Sequence, residues 1–161
     1  MLKSPRIGLG YDSHQLVMKR PLILGGVEIP FEKGLLGHSD ADCLIHAIID
    51  ALLGALALGS IGDFFPDTDA QYKNISSLTL LKEVQKLLEQ KKAKIMNIDS
   101  VLILERPKMA PFISQIRENL AQALQINFDQ IFVKAKTNEK MGFEGTEQGI
   151  SARAVALIEL L

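Results

Sequence analysis

The chain has 161 residues, 47% of them hydrophobic and 23% charged, with a formal net charge of -1. This suits one domain over residues 1–161 with a substantial core and excludes a disordered or low-complexity chain. The 18 Lys and Arg against 19 Asp and Glu leave no basic excess for nucleic acid, and the lone Cys43 excludes an internal disulfide, which fits a reducing compartment.

In chain order, Met1 to Gly8 lacks the apolar run and small-residue cleavage pattern of an export signal. Arg6 to Tyr11 reads as a strand running into Asp12-Ser13-His14. Leu22–Leu24 and Val27–Ile29 flank Gly25-Gly26, the composition of a tight hairpin turn. Pro30 to Gly37 is a connection. A helix is expected from Ser39 or Asp40, either able to cap it, to about Leu58, with Gly59 as its stop. Its apolar residues, Leu44, Ile45, Ile48, Ile49, Leu52, Leu53 and Leu56, occupy more than one face, so most of it is buried. The most membrane-like run, Ala41 to Gly62, is interrupted by Asp42, His46 and Asp50, and the uncharged part from Ala51 is too short for about 30 Å of hydrocarbon. The expectation is a cytoplasmic protein without a membrane partner, or a plastid one whose transit peptide has been removed.

Ser60 to Lys73 reads as a loop, and Ser76 or Ser77 opens a helix carrying Leu78, Leu81, Val84 and Leu88. A strand follows over Ile95 to Glu105, then a turn bracketed by Pro107 and Pro111, then a helix with Ile113, Ile116, Leu120 and Leu124 on one stripe. Ile131 to Ala135 is a strand, Thr137 to Gly149 a loop, and Ile150 to Leu161 is read as a final helix. The order predicts an α+β fold: a single sheet with helices packed on one face. The open face needs a cover, and oligomerisation is one way to supply it.

Asp12 and His14 stand two apart on an extended segment, so their side chains share a side, and each is a competent Zn²⁺ ligand. Asp42, His46 and Asp50 recur every four residues on one stripe of a very apolar helix. Charged groups in such surroundings need compensation. One reading is a hydrogen-bonded strut between core helices. The other has His46 joining Asp12 and His14 at a metal, with Asp42 or Asp50 holding His46 from behind. Spacing alone leaves both open. His38-Ser39-Asp40 at the expected helix start is either a cap or an anion site with His38 and Ser39 as donors. Glu139, in Lys136-Thr137-Asn138-Glu139-Lys140, has neighbours that suit a phosphate-bound Mg²⁺, or it sits in an ordinary solvated loop.

Several segments together resemble one family, the 2-C-methyl-D-erythritol 2,4-cyclodiphosphate synthases. They are Gly10-Tyr11-Asp12-Ser13-His14, Ile23 to Pro30, Lys33 to Asp42, His46 to Gly54, Ile61 to Asp69, Arg106-Pro107-Lys108-Met109 and Lys134 to Phe143. They follow family order and span nearly the whole chain. The resemblance implies an enzyme of the methylerythritol phosphate route to isoprenoids, a metal-dependent phosphorus–oxygen lyase. It implies a homotrimer, with the sheets forming a trimeric sandwich and active sites between subunits, a zinc ion per subunit, and Mg²⁺ or Mn²⁺ with the substrate diphosphate.

By the same resemblance Asp12, His14 and His46 match the zinc ligands, Glu139 the anchor of the second metal, His38 and Thr137 the transition-state stabilising positions, and Ser39 a phosphate contact. Ser13, Asn138 and Phe143 fall in matched segments and are expected beside the substrate. Ser60 to Asp69, with Ile61, Gly62, Phe65, Pro66, Asp67 and Thr68, matches a loop over the methylerythritol part of the substrate. Leu104 to Ala110, including Lys108 and Met109, and Ala135, Lys136 and Thr137 match a cytidine pocket of the neighbouring subunit. Ser60 stands where many members carry Asp, Lys136 where Thr is common, and Thr146 and Gln148 where Arg and Glu are frequent. The competing class is a metal-dependent phosphohydrolase built from the same ligands.

Overall fold

The computed structural model describes residues 4–161, so Met1–Lys3 of the stretch read for an export signal lie outside the described residues. Strand β1 (Ser4–Met18) is followed by a hairpin of β2 (Leu22–Leu24) and β3 (Val27–Ile29). Gly25 and Gly26 turn that hairpin at φ +59° and +73°, which only glycine adopts without strain. The expected connection before the first helix contains a short strand, β4 (Lys33–Leu35), paired with the end of β1.

Helix α1 (Cys43–Ala55) starts three residues later than Asp40 and stops before Leu58. Asp42, not Ser39 or Asp40, caps it, its carboxylate accepting the Ile45 N–H at 3.1 Å. The loop after it holds a single helical turn, α2 (Ile61–Phe64). Helix α3 (Ser77–Gln90), strand β5 (Ala93–Ile103), helix α4 (Ile113–Leu124) and strand β6 (Ile131–Lys136) follow the expected order. The loop after β6 contains another single turn, α5 (Gly142–Gly145).

The last segment is a correction. Ile150–Leu161 is no helix: Gly149–Leu160 forms strand β7. It runs through the middle of the sheet, antiparallel to both β1 and β5. Ala152, Ala154 and Ala156 are buried while Arg153 and Val155 are exposed, a period of two that the helix-forming alanines obscure. The five strands lie in the order β4-β1-β7-β5-β6, with β5 and β6 parallel through α4. The β2–β3 hairpin is a separate small sheet, so the expectation of a single sheet is also corrected.

Helices α1, α3 and α4 cover one face, with α1 lying across β1 and β7. Its approach is close because β1 offers no side chain beneath it. A Cβ on Gly10 would stand 1.7 Å from the Ala47 carbonyl oxygen, and one on Gly8 1.8 Å from that of Ala51. Leu44, Ile45, Ile48, Ile49, Leu52 and Leu53 are fully buried around this contact, as the apolar pattern predicts. The opposite sheet face is apolar and open: Ile7 is 72% exposed and Leu9 70%, with Tyr11 and Val155 beside them.

Candidate metal centre

Alternation along β1 places Asp12 and His14 on the inner face with Gly8 and Gly10, while Ser13 points away. The close contact of α1 with those glycines brings His46 down onto the same spot. Asp12 Oδ2 lies 2.9 Å from His14 Nε2 and 3.1 Å from His46 Nδ1, and the two ring nitrogens are 3.4 Å apart. His14 Nδ1 faces the Leu36 carbonyl oxygen at 2.8 Å. A carbonyl only accepts, so Nδ1 carries the proton and Nε2 turns its lone pair to Asp12 and His46.

Charge at this corner is strongly coupled. Burial alone pushes the Asp12 carboxyl up, but hydrogen bonds to His14 and His46 and their charges more than offset that, leaving it below its ordinary value. Burial likewise pushes His14 down, and the Asp12 bond and charge reverse it, so His14 binds a proton more tightly than usual. A carboxylate oxygen and two imidazole nitrogens converging within 4.8 Å of one another form a donor set that suits a divalent cation such as Zn²⁺.

Asp42 and Asp50 do not stand behind His46. The Asp42 carboxylate accepts from the N–H groups of Gly26 (2.8 Å) and Ile45, tying the hairpin to the start of α1. Burial pushes that carboxyl up to about 6, Asp40 adds repulsion, and the backbone N–H groups only partly offset both. Asp50 accepts the Ile61 N–H at 2.7 Å and so anchors α2. The helix stripe therefore divides its work: only His46 faces the strand ligands. His38 and Ser39 precede the helix start, so the anion site expected from α1's free N–H groups is not formed there. They nevertheless flank the metal corner, with His38 Nε2 3.2 Å from the Asp69 carbonyl oxygen and Ser39 buried.

A cleft of about 460 Å³ opens above the three ligands. His38 and Ser39 line one side, and Ile61, Gly62, Phe65, Pro66, Asp67 and Thr68 line the other. Of the expected loop residues, Ser60 and Asp69 do not line it. Ser60 donates through its N–H and hydroxyl to the Asp63 carboxylate, and the Asp69 carboxylate binds Gln71. A second cleft, about 640 Å³, is lined by Leu104, Lys108, Met109 and Ala110 on one wall and Ala135, Lys136 and Thr137 on the other. It shares no lining residue with the first. At its rim Thr137 Oγ1 donates to Glu139 Oε1 at 2.9 Å, and the Asn138 amide holds the Met141 carbonyl. Ser13 and Phe143 meet elsewhere, in a third cleft with Thr146 and Gln148.

Residue patterns alone miss several supports. The Ser77 hydroxyl lies 2.9 Å from His46 Nε2, although Ser76-Ser77 signals only a helix start. Arg20 donates to the Ser39 carbonyl at 3.0 Å. Glu105 Oε1 accepts the N–H groups of Asn138 (2.9 Å) and Lys140 (3.2 Å), bracing both sides of Glu139. A lone Glu before Arg-Pro carries no signal of this.

The sequence model of the YgbB family matches residues 5–159. Among curated proteins, the chain is 61% identical over 154 residues to the 2-C-methyl-D-erythritol 2,4-cyclodiphosphate synthase of Chloroherpeton thalassium, covering 96% of this chain and 98% of that protein. Among solved structures it is similar to the bifunctional IspDF of Campylobacter jejuni, with a TM-score of 0.95 and 36% identity. The match covers 99% of this chain but 43% of that one. It is also similar to the CDP complex of IspF from Plasmodium falciparum, with a TM-score of 0.87, 34% identity and 99% of each chain covered.

Proposed function

This chain belongs to the YgbB family, together with its cyclodiphosphate synthase relatives, and from that premise we propose that it converts 4-diphosphocytidyl-2-C-methyl-D-erythritol 2-phosphate to 2-C-methyl-D-erythritol 2,4-cyclodiphosphate and CMP. An oxygen of the 2-phosphate attacks the β-phosphorus. The bond from that phosphorus to the bridging oxygen breaks, and CMP leaves with the electron pair. Both reacting groups belong to one molecule, so the protein's task is to fold that molecule and screen its charge. The observation that carries this reading is the convergence of Asp12 Oδ2, His14 Nε2 and His46 Nδ1 at the floor of the 460 Å³ cleft.

Asp12, His14 and His46 would hold zinc, and Glu139, with Thr137 beside it, the Mg²⁺ or Mn²⁺ ion. Bound there, the cations neutralise phosphate charge and polarise the phosphoryl group under attack. His38 and Ser39 donate to the phosphate in the metal cleft, and Thr137 donates to the diphosphate. The turn α2 and the residues after it, Phe65 to Thr68, cover the methylerythritol part and keep water from the phosphorus. Asp50 fixes the base of that cover through Ile61. The 640 Å³ cleft takes the cytidine, its Leu104, Met109 and Ala110 offering an apolar wall.

The two clefts share no wall, which supports a site assembled between subunits. The open apolar face around Ile7, Leu9 and Val155 supports the same assembly, a homotrimer with the sheets inside. Phosphorus NMR of the purified protein with substrate, zinc and Mg²⁺ tests the reading: CMP and the cyclic diphosphate should appear in equal amounts. The same reaction in oxygen-18 water should leave the cyclic product unlabelled, and labelled product phosphates would instead establish hydrolysis.

A further inference from the structure

His46 Nε2, the ring nitrogen turned away from Asp12, points into a buried polar knot. The Ser77 hydroxyl oxygen lies 2.9 Å from it and the Ser39 hydroxyl oxygen 3.3 Å. Ser77 is fully buried at the first turn of α3. Its hydroxyl is committed elsewhere, donating in a very short hydrogen bond to Asp40 Oδ1, while its N–H donates to Asp40 Oδ2 at 2.9 Å. Asp40 Oδ1 also accepts the Asp42 N–H at 3.2 Å. An ionised carboxylate only accepts, so it draws the Ser77 proton to itself, and the Ser77 oxygen is left to accept from the ring.

We propose that Ser77, oriented by Asp40, is a positioning residue that takes the Nε2 proton of His46 and thereby holds Nδ1 bare toward Asp12 and His14. The opposite neutral tautomer would be unfavourable at Nε2 and would leave Nδ1 unfit for a cation. Nε2 would lose its hydrogen bond to a hydroxyl already turned toward Asp40. Nδ1–H would bond Asp12 Oδ2 at 3.1 Å, occupying both groups that a cation needs. The two histidines are thus locked by different devices into opposite tautomers. His14 carries its proton on Nδ1 against the Leu36 carbonyl, and His46 carries it on Nε2 against Ser77. The tautomer stands on these hydrogen bonds alone, whereas its use in holding zinc rests on the function proposed above.

The test uses the full chain labelled with ¹⁵N-histidine and stripped of metal, at mildly alkaline pH. Two-bond ¹H–¹⁵N correlation spectra should show the Nε2–H pattern for His46 and the Nδ1–H pattern for His14. Ser77→Ala should abolish the fixed His46 pattern and weaken zinc binding, measured against a chromophoric chelator, by about 10- to 100-fold. Circular dichroism should remain that of the wild type. Asp40→Asn, which keeps the shape but leaves one acceptor oxygen for these donors, should move both readouts in the same direction. An Nδ1–H pattern for His46 in the wild type overturns the proposal, and if Ser77→Ala does not fold, this spectrum and Asp40→Asn decide. Unchanged zinc affinity in both variants, with the wild type binding zinc, overturns the role assigned to Ser77. A wild type with the expected tautomers that binds no zinc overturns the functional reading instead.

Discussion

The metal corner and the turn that carries Glu139 are built on opposite plans. At the metal corner, two ligands come from a strand paired there with β7 and the third from a helix that touches the strand backbone. At the other end Glu139 and Lys140 sit exposed on a turn, both with left-handed backbone (φ +52° and +62°), and a Glu105 carboxylate holds them from below. The first end is finished within one chain, while the second presents its groups outward. A cation held between fixed donors acts without reorganisation, so the charge-bearing part gains most from rigidity. The turn leaves its groups exposed to solvent, where a ligand arriving from outside can reach them.

The largest expected effect comes from breaking the contact that creates the rigid end. Gly10→Ala puts a methyl group 1.7 Å from the Ala47 carbonyl oxygen, so α1 has to lift from β1 or the strand has to bend. We expect a loss of on the order of 3 kcal/mol in stability, with zinc binding lost even where the chain still folds. Thermal melting and metal analysis check this together. A variant that melts like the wild type and keeps its zinc would show that the close approach is not what assembles the corner.

His14→Ala separates the ligands from their frame. Zinc content should fall to background, while the metal-free protein melts close to the metal-free wild type, because α1 is held by its buried leucines and isoleucines rather than by the ligands. Wholesale unfolding would contradict that division. Glu105→Ala probes the other end. It removes a carboxylate acceptor from two backbone N–H groups, and turnover should drop about tenfold at unchanged zinc content. Loss of zinc in that variant would mean that the two ends are mechanically coupled within one chain.

The same contrast explains what the sequence made legible. Asp12-x-His14 on a strand and His46 on an apolar helix were readable because strand and helix periods assign faces without tertiary knowledge. The burial of α1 and the Gly25-Gly26 hairpin were readable for the same local reasons, whereas the part of the Ser60–Asp69 loop that lines the cleft was expected only from the family resemblance. Strand β7 was not, because Ala152, Ala154 and Ala156 favour a helix locally, and only packing beneath α1 makes them a strand. Asp42 and Asp50 share the His46 stripe, yet their partners, Gly26 and Ile61, come from segments whose position depends on the whole fold. Ser77, 31 residues from His46, and Glu105, 33 from Asn138, lie beyond any local pattern.

A pH-dependent effect, spread over a window rather than caused by one substitution, sharpens the comparison at the start of α1. Asp42 ionises near 3.8 in the unfolded chain and at about 6 in the fold, where burial and Asp40 oppose its charge. Between those values the unfolded chain releases a proton that the native chain keeps, so the contribution of Asp42 to stability falls as pH rises, by at most about 3 kcal/mol across the window, and is constant above it. Asp12 is shifted the other way, and its contribution is lost only as pH falls below 3.8. His14, raised above 6.5, loses its contribution as pH rises from 6.5 through its own folded value. The middle window therefore belongs chiefly to Asp42, with Asp50, also raised by burial, adding a decline that likewise begins above 3.8. Urea unfolding of the metal-free protein between roughly pH 4 and 6 should show this decline in the wild type and a clearly shallower one in Asp42→Asn, where Asp50, also raised by burial, still contributes. Equal slopes in the two proteins would mean that the cap carries no pH-dependent cost, and that the rigid end is anchored by packing alone.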